Sequence, residues 1–368
     1  MRSLIFVLVL LVASFWYWGV HFGVTILALS FLIFFHELGH FLAAKYFGVF
    51  VKTFSIGFGE KIYSKKFCNT TYCISAIPLG GYVQLKGQDD TDPRHKNYDS
   101  DSYNTLSPFK RIIILFAGPF FNILLAFILY MIIGFIGVER LAPVVGTTLP
   151  DSAALNAQIQ QNDKILAIDG VKIQEWNEIK KYVTTKPTNL LILRDGKEIS
   201  ITLTPKIGQS KNIFGETVQT PLIGITPSGE TTTIYNSGFD SFKFAYNETL
   251  EASKLIYKGL EKLITGVVPI QEMGGIVAMA DITTKASQIS LSVLLVIVAL
   301  ISVNLGILNL LPLPVLDGGH IIFNLYEMIF KRPVNERIFV GLSYASMALL
   351  FTLMAFTIIN DITRLTGE

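Results

Sequence analysis

Uncharged, apolar stretches alternate with polar ones along this chain, and their lengths sort it into elements before any motif is read. Residues 3–35, 112–138, 286–316 and 338–360 carry no Asp, Glu, Lys or Arg, and each reaches or exceeds the roughly 20 residues that cross a bilayer core. The first run is too long for one crossing, because about 33 residues rising about 1.5 Å each cover roughly 50 Å against a core of about 30 Å. It predicts a short hydrophobic segment within residues 1–20, closed by the interfacial cluster Phe15, Trp16, Tyr17 and Trp18. Gly19 begins the reversal, and a membrane helix follows over 22–47. A cleaved signal peptide is the alternative for the short segment, against which stands a poor small-residue cleavage site. The remaining spans are expected at 112–138, 286–318 and 338–360. Between them, residues 54–85 within the 48–111 region alternate apolar and polar positions around a polar middle, which predicts a β-hairpin. Residues 139–206 read as a small α+β domain, and 207–285 as a linker with an amphipathic helix near 240–265 suited to a membrane surface.

Composition marks the chain as a membrane protein. Of 368 residues 51% are hydrophobic and 16% charged, and the mean hydropathy is +0.50, outside the range of ordinary soluble domains. A net charge of +2 says little about partners, and no nucleic acid is expected among them. Cys68 and Cys73 imply neither a disulfide framework nor a C-x2-C metal site. The distribution of Lys and Arg gives the orientation. Lys52, Lys61, Lys65, Lys66, Lys86, Arg94, Lys96, Lys110 and Arg111 fall in the 48–111 region, and Lys331, Arg332 and Arg337 in the loop before the last span. Both are therefore expected in the cytoplasm, with 139–285 and the tail beyond 360 outside.

Against that background HELGH, residues 36–40, stands out. On a helix His36 and His40 are four apart and share a face, so both imidazoles can bind one zinc ion, while Glu37 can act as general base toward water there. Two histidines hydrogen-bonded in a helix bundle are the plain alternative, but it leaves an intramembrane carboxylate without purpose. A catalytic zinc takes a third protein ligand. The 286–318 segment enters from outside and delivers Asp317 to the depth of HELGH. His320 is an alternative ligand, and Glu327 would be the donor in a protease whose third ligand is a glutamate from a later helix. His21 lies a helix length away and His95 in a polar loop.

Three further stretches complete a pattern: GPFFN at 118–122, N-D-K-I-L-A-I-D-G at 162–170 and N-L-L-P-L-P-V-L-D-G at 309–318. The second resembles a PDZ domain, a fold that binds extended peptides along a strand edge. Together with HELGH, their order and membrane placement resemble the bacterial site-2 proteases, of the regulator-of-sigma-E protease type, over nearly the whole chain after about residue 22. The resemblance implies one zinc ion held by His36, His40 and Asp317, with Glu37 catalytic. Asn304 and Asn309 are implicated in holding substrate, and their amides can meet an unwound backbone, although Asn in membrane bundles also serves as helix glue. Gly57, Phe58 and Gly59 are similar to an element of the family's membrane-associated β-loop, whose edge can take substrate as an added strand. Gly118, Pro119 and Asn122, with Pro312 and Pro314, are expected to pack around the site.

The fold implied is a polytopic α-helical membrane protein with four core transmembrane helices, an extra N-terminal one, a membrane-associated β-hairpin and one inserted PDZ domain. The implied activity is cleavage within transmembrane segments of single-pass proteins already trimmed outside, such as an anti-sigma factor or a signal-peptide remnant, in regulated intramembrane proteolysis. The location implied is the inner membrane, with the zinc site toward the cytoplasm. A catalytically silent scaffold using its PDZ domain to bind peptides is the rival. The chain departs from the family pattern in having room for one PDZ domain where some members have two, and in lacking a proline in IQEMGGI, 270–276.

Overall fold

The computed structural model describes residues 2–88 and 97–366, with the backbone alone described for 2–18 and for 78–79. Arg94, His95 and Lys96, and the side chains of the 15–18 aromatic cluster, lie outside the described residues. The chain divides into two compact units, one formed by 1–132, 242–260 and 269–368, the other by 133–241 and 261–268. Four described helices or helix segments are long and apolar enough to cross a membrane: Gly19–Tyr46, Pro108–Ile136, Leu291–Asn309 and Glu336–Thr366.

In the first unit, helix α1 (Arg2–Tyr46) breaks at Gly19, whose φ of 78° and ψ of 177° end one helix and start another; glycine enters that region without steric cost. Strands β1 (Val51–Phe67) and β2 (Thr70–Leu85) follow. A plain hairpin was expected, and the register departs from it. Residues 61–67 pair with 70–75, while 51–56 lie against 81–85 and, in the same direction, 53–56 beside 71–74. The bend comes at Gly57 and Gly59, both at positive φ, so the ribbon folds back on itself. Phe54 and Tyr72 fasten it to α1, with the Phe41 ring 5.1 Å from Phe54 and 6.0 Å from Tyr72. Beneath them Ala44, Val49, Val51, Leu85, Tyr103 and Ile114 form a small buried core. Helix α2 (Pro108–Ile136) follows, and it comes close to α1 where Gly39 faces the Ala117 carbonyl.

The second unit is the insert. It contains β3 (Val138–Leu141), β4 (Val145–Thr148), α3 (Ala153–Asn156), β5 (Lys164–Ile168), β6 (Val171–Lys172), α4 (Trp176–Tyr182), β7 (Thr188–Arg194) and β8 (Lys197–Leu203). The sheet order is β6-β5-β7-β8. Asp-Gly turns form at 169–170 and 195–196, with both residues of each at positive φ, the geometry that matches strand twist in a two-residue hairpin. Ile165, Ile168, Leu190 and Ile192 are fully buried in its core, each contributing about 1.5–3 kcal/mol. The expected boundary at 206 is too early. Residues 207–234, read from sequence as linker, supply β9 (Lys206–Lys211), β10 (Thr217–Leu222), β11 (Ile225–Pro227) and β12 (Thr231–Ile234), with β11 pairing with β4 and β12 with β3. Their threonine-rich alternation buries little apolar surface and so gives a weak periodic signal.

After α5 (Phe239–Ile264) the chain returns to the first unit through α6 (Ile276–Ile289), α7 (Leu291–Asn309), α8 (Asp317–Phe330) and α9 (Glu336–Thr366). The single 286–318 helix expected from the apolar run is instead the end of α6, then α7, then a turn that restarts as α8 at Asp317. Pro312 and Pro314 cannot continue a helix ladder. Gly318 and Gly319 let the turn close, because a Cβ on either would overlap the carbonyls of Leu310 or Leu313. At its C-terminal end α9 reaches back to α6: buried Asp361 accepts the amides of Gly275 at 3.1 and 3.0 Å and of Ala278 at 3.0 Å, capping α6 from another helix.

Candidate metal centre

Three elements of the first unit converge. Helix α1 brings His36 and His40, α2 brings Gly118 and Asn122, and the first turn of α8 brings Asp317. The helices approach this closely because of two glycines: a Cβ on Gly39 would overlap the Ala117 carbonyl, and one on Gly118 would overlap the rings of His40 and His36. The two imidazoles are nearly perpendicular, at 83°, with centroids 4.8 Å apart.

Their free edges form a triangle with Asp317. His36 Nε2 lies 3.2 Å from His40 Nε2 and 3.3 Å from Asp317 Oδ2, and His40 Nε2 lies 3.5 Å from Asp317 Oδ1. Ligand atoms about 2.0–2.1 Å from a tetrahedral zinc lie about 3.3–3.4 Å apart, so the triangle has the edge length of such a site. His40 Nδ1 donates to the Ile114 carbonyl at 2.8 Å, which leaves Nε2 with its lone pair for a metal. These three residues could hold a metal ion; the donor set and its spacing fit zinc.

The triangle borders a cavity of roughly 340 Å³, lined also by Glu37, Phe58, Gly80, Gly81, Asn309, Leu316 and His320. Glu37 sits beside Gly81, where a Cβ would come within 3.6 Å of its Cγ. The structure therefore brings Phe58 and Asn309 to the cavity with the metal group; Asn304, Gly57 and Gly59 are not among its lining residues. At Gly57 a Cβ would come within 2.8 Å of the Ile77 carbonyl oxygen and 3.0 Å of that of Ser75. Pro119 presents its carbonyl to Gly306 of α7, and Pro312 and Pro314 lie in the turn before Asp317. His320 lines the cavity outside the ligand triangle, its ring 5.8 Å from that of Phe339. Glu327 is engaged elsewhere, accepting from Arg111 at 2.6 Å and so tying α8 to the start of α2. His21 bonds Ser287 at 3.0 Å.

Sequence reading missed Gly39, the glycines at 80 and 81, and the contact between Asn122 Nδ2 and His36 Nδ1 at 3.1 Å; it gave Asn122 packing alone. A small residue between the two histidines, of the kind that lets helices approach, was the available signal for Gly39. Residues 36 and 122 are too far apart in sequence for any local pattern to link them.

Comparison with known proteins agrees with this chemistry. Residues 24–353 match peptidase family M50. A Campylobacter jejuni protein named "Putative zinc metalloprotease Cj1068" is 54% identical over 368 residues, covering 100% of both chains. A Helicobacter pylori protein named in the same manner is 39% identical over 350 residues, 94% of this chain and 99% of its own. The zinc metalloprotease RasP of Geobacillus kaustophilus is 31% identical over 411 residues, covering 90% of this chain and 95% of its own.

Proposed function

This chain belongs to peptidase family M50 and is a zinc metalloprotease of the membrane, and on that premise we propose that it hydrolyses peptide bonds within transmembrane segments of single-pass proteins. The observation that carries the proposal is the position of His36, Glu37, His40 and Asp317 around one cavity at the end of a membrane-length helix. Zinc held by His36, His40 and Asp317 supplies a Lewis acid that acidifies water and polarises a carbonyl. Glu37, on the cavity wall, takes the proton from the attacking water and passes it to the leaving amine. Substrate must first be unwound, because a helix hides its carbonyls in internal hydrogen bonds. The 80–85 stretch of β2 borders the cavity through Gly80, Gly81, Val83 and Leu85, and it offers an edge on which an extended segment can pair. The Asn309 amide, on the same wall, binds the freed backbone, and Asn304 serves the segment further along α7.

The substrate class is a single-pass protein already shortened outside the membrane, of the anti-sigma factor or signal-peptide-remnant kind. The charge distribution supports an inner-membrane location with the metal toward the cytoplasm. The insert, read as a PDZ domain, selects by a chain end or by size.

The test compares wild type with Glu37→Gln on a model single-span substrate at equal zinc content. Wild type cuts within the span and stops on chelation, while Glu37→Gln keeps its zinc and loses about 10²–10⁴-fold in rate. If neither cuts although both hold zinc and bind the substrate, the scaffold reading replaces this one.

A further inference from the structure

Asn122 is fully buried. As placed, its Nδ2 lies 3.1 Å from His36 Nδ1, and its Oδ1 has no hydrogen-bond partner. The two ends of a carboxamide are alike in shape, and the hydrogen-bond network decides which way it faces. Facing as placed, Nδ2 donates to an unprotonated Nδ1, which puts the ring proton on Nε2. That is the wrong tautomer for a metal ligand, since Nε2 is the atom 3.2 and 3.3 Å from the other two donors. Turned by half a rotation, Oδ1 accepts a proton from Nδ1 and Nε2 is left with its lone pair. One amide atom lacks a protein partner in either orientation, so the metal chooses between them.

We propose that Asn122 is a positioning residue that accepts the Nδ1 proton of His36 through Oδ1, fixing the tautomer and ring angle that aim Nε2 at zinc. The proposal rests on His36 being a zinc ligand. His40 achieves the same end with a backbone acceptor, the Ile114 carbonyl; His36 has the Gly118 backbone beside its ring and, at 3.1 Å from Nδ1, the Asn122 side chain as well. The backbone carrying that side chain is itself held, because Ser302 of α7 donates its hydroxyl to the Asn122 carbonyl at 2.7 Å. Outer hydrogen bonds of this kind typically account for about 10–100-fold in metal affinity.

Zinc affinity of the detergent-solubilised full chain, measured by chelator competition, tests the assignment. Asn122→Leu keeps the approximate volume and has no acceptor, and it is expected to weaken zinc binding by about 10–100-fold. Asn122→Asp keeps an acceptor toward His36 and is expected to bind zinc at least as tightly as wild type. Wild-type affinity in Asn122→Leu, or equal weakening in both variants, overturns the proposal. Should Asn122→Leu fail to fold, Asn122→Asp decides alone, since a carboxylate can only accept: zinc affinity at least equal to wild type supports the proposal, and weakening by about tenfold or more overturns it. Failure of the underlying reading looks different, because His36→Ala would then hold zinc with wild-type affinity.

Discussion

Acids largely withdrawn from solvent occur in both units of the chain, and their partners differ. In the insert Asp163, 1% exposed, is fully engaged: it accepts from Arg194 Nε at 2.7 Å and Nη2 at 2.6 Å, and from the Gln160 amide at 2.8 Å. Its oxygens are spent on closing the loop before β5 against the end of β7. In the membrane unit Asp317 meets two imidazole nitrogens that also face each other, at 3.2–3.5 Å. The first arrangement is complete without a guest; the second converges on a point between its members. Burial of charge alone therefore separates nothing, and the direction in which the polar atoms point distinguishes an acid with its partners complete from one open to a guest.

The largest test of that contrast is a pair of substitutions in α8. Asp317→Asn is expected to release zinc and abolish proteolysis, whereas Glu327→Gln, which disturbs only the pair with Arg111, keeps one zinc per chain after desalting. The reverse result would move the third ligand to Glu327. Next comes Gly118→Ala, which forces a methyl into the histidine rings. It should cost about 1–3 kcal/mol by overpacking and lower zinc occupancy, with hydrogen exchange across the insert unchanged. Asp163→Asn probes the other side of the comparison. It weakens a charge-assisted pair, costs about 1–2 kcal/mol and raises hydrogen exchange in β5 and β7, while bound zinc stays at the wild-type level. Loss of zinc in this variant would erase the distinction. The smallest effect is expected from Ser152→Ala, which removes the 3.1 Å bond from the Leu155 amide to the Ser152 hydroxyl at the start of α3, at about 1 kcal/mol, read as a shift in exchange near 152–157.

What the sequence discloses follows the reach of its patterns. Membrane spans are legible because roughly 20 apolar residues have few other uses, and His36 with His40 because a helix fixes their relation locally. Asp317 was reachable through the depth argument from charged loops, although the element carrying it was misjudged. A continuous apolar run hid the turn at 310–316, where Pro312, Pro314 and the Gly-Gly pair were the sounder guide. The folded-back ribbon of β1 and β2 escaped because pairing of 53–56 with 71–74 depends on a bend, not on alternation. Strands β11 and β12 escaped because their partners, β4 and β3, lie far earlier in the chain. The Asn122 contact with His36 belongs to the same class: it exists only once α1 and α2 have crossed.

The cap on α6 has a consequence in time. Asp361, which receives the Gly275 and Ala278 amides, is translated 86 residues after Gly275. At about 5–20 residues per second that interval is roughly 4–17 s. For those seconds α6 is already synthesised while the carboxylate that closes its first turn is not, and the α7 and α8 segments emerge in the meantime. Release of the last helix from the ribosome and its arrival beside α6 therefore set the earliest moment at which the membrane unit can lock.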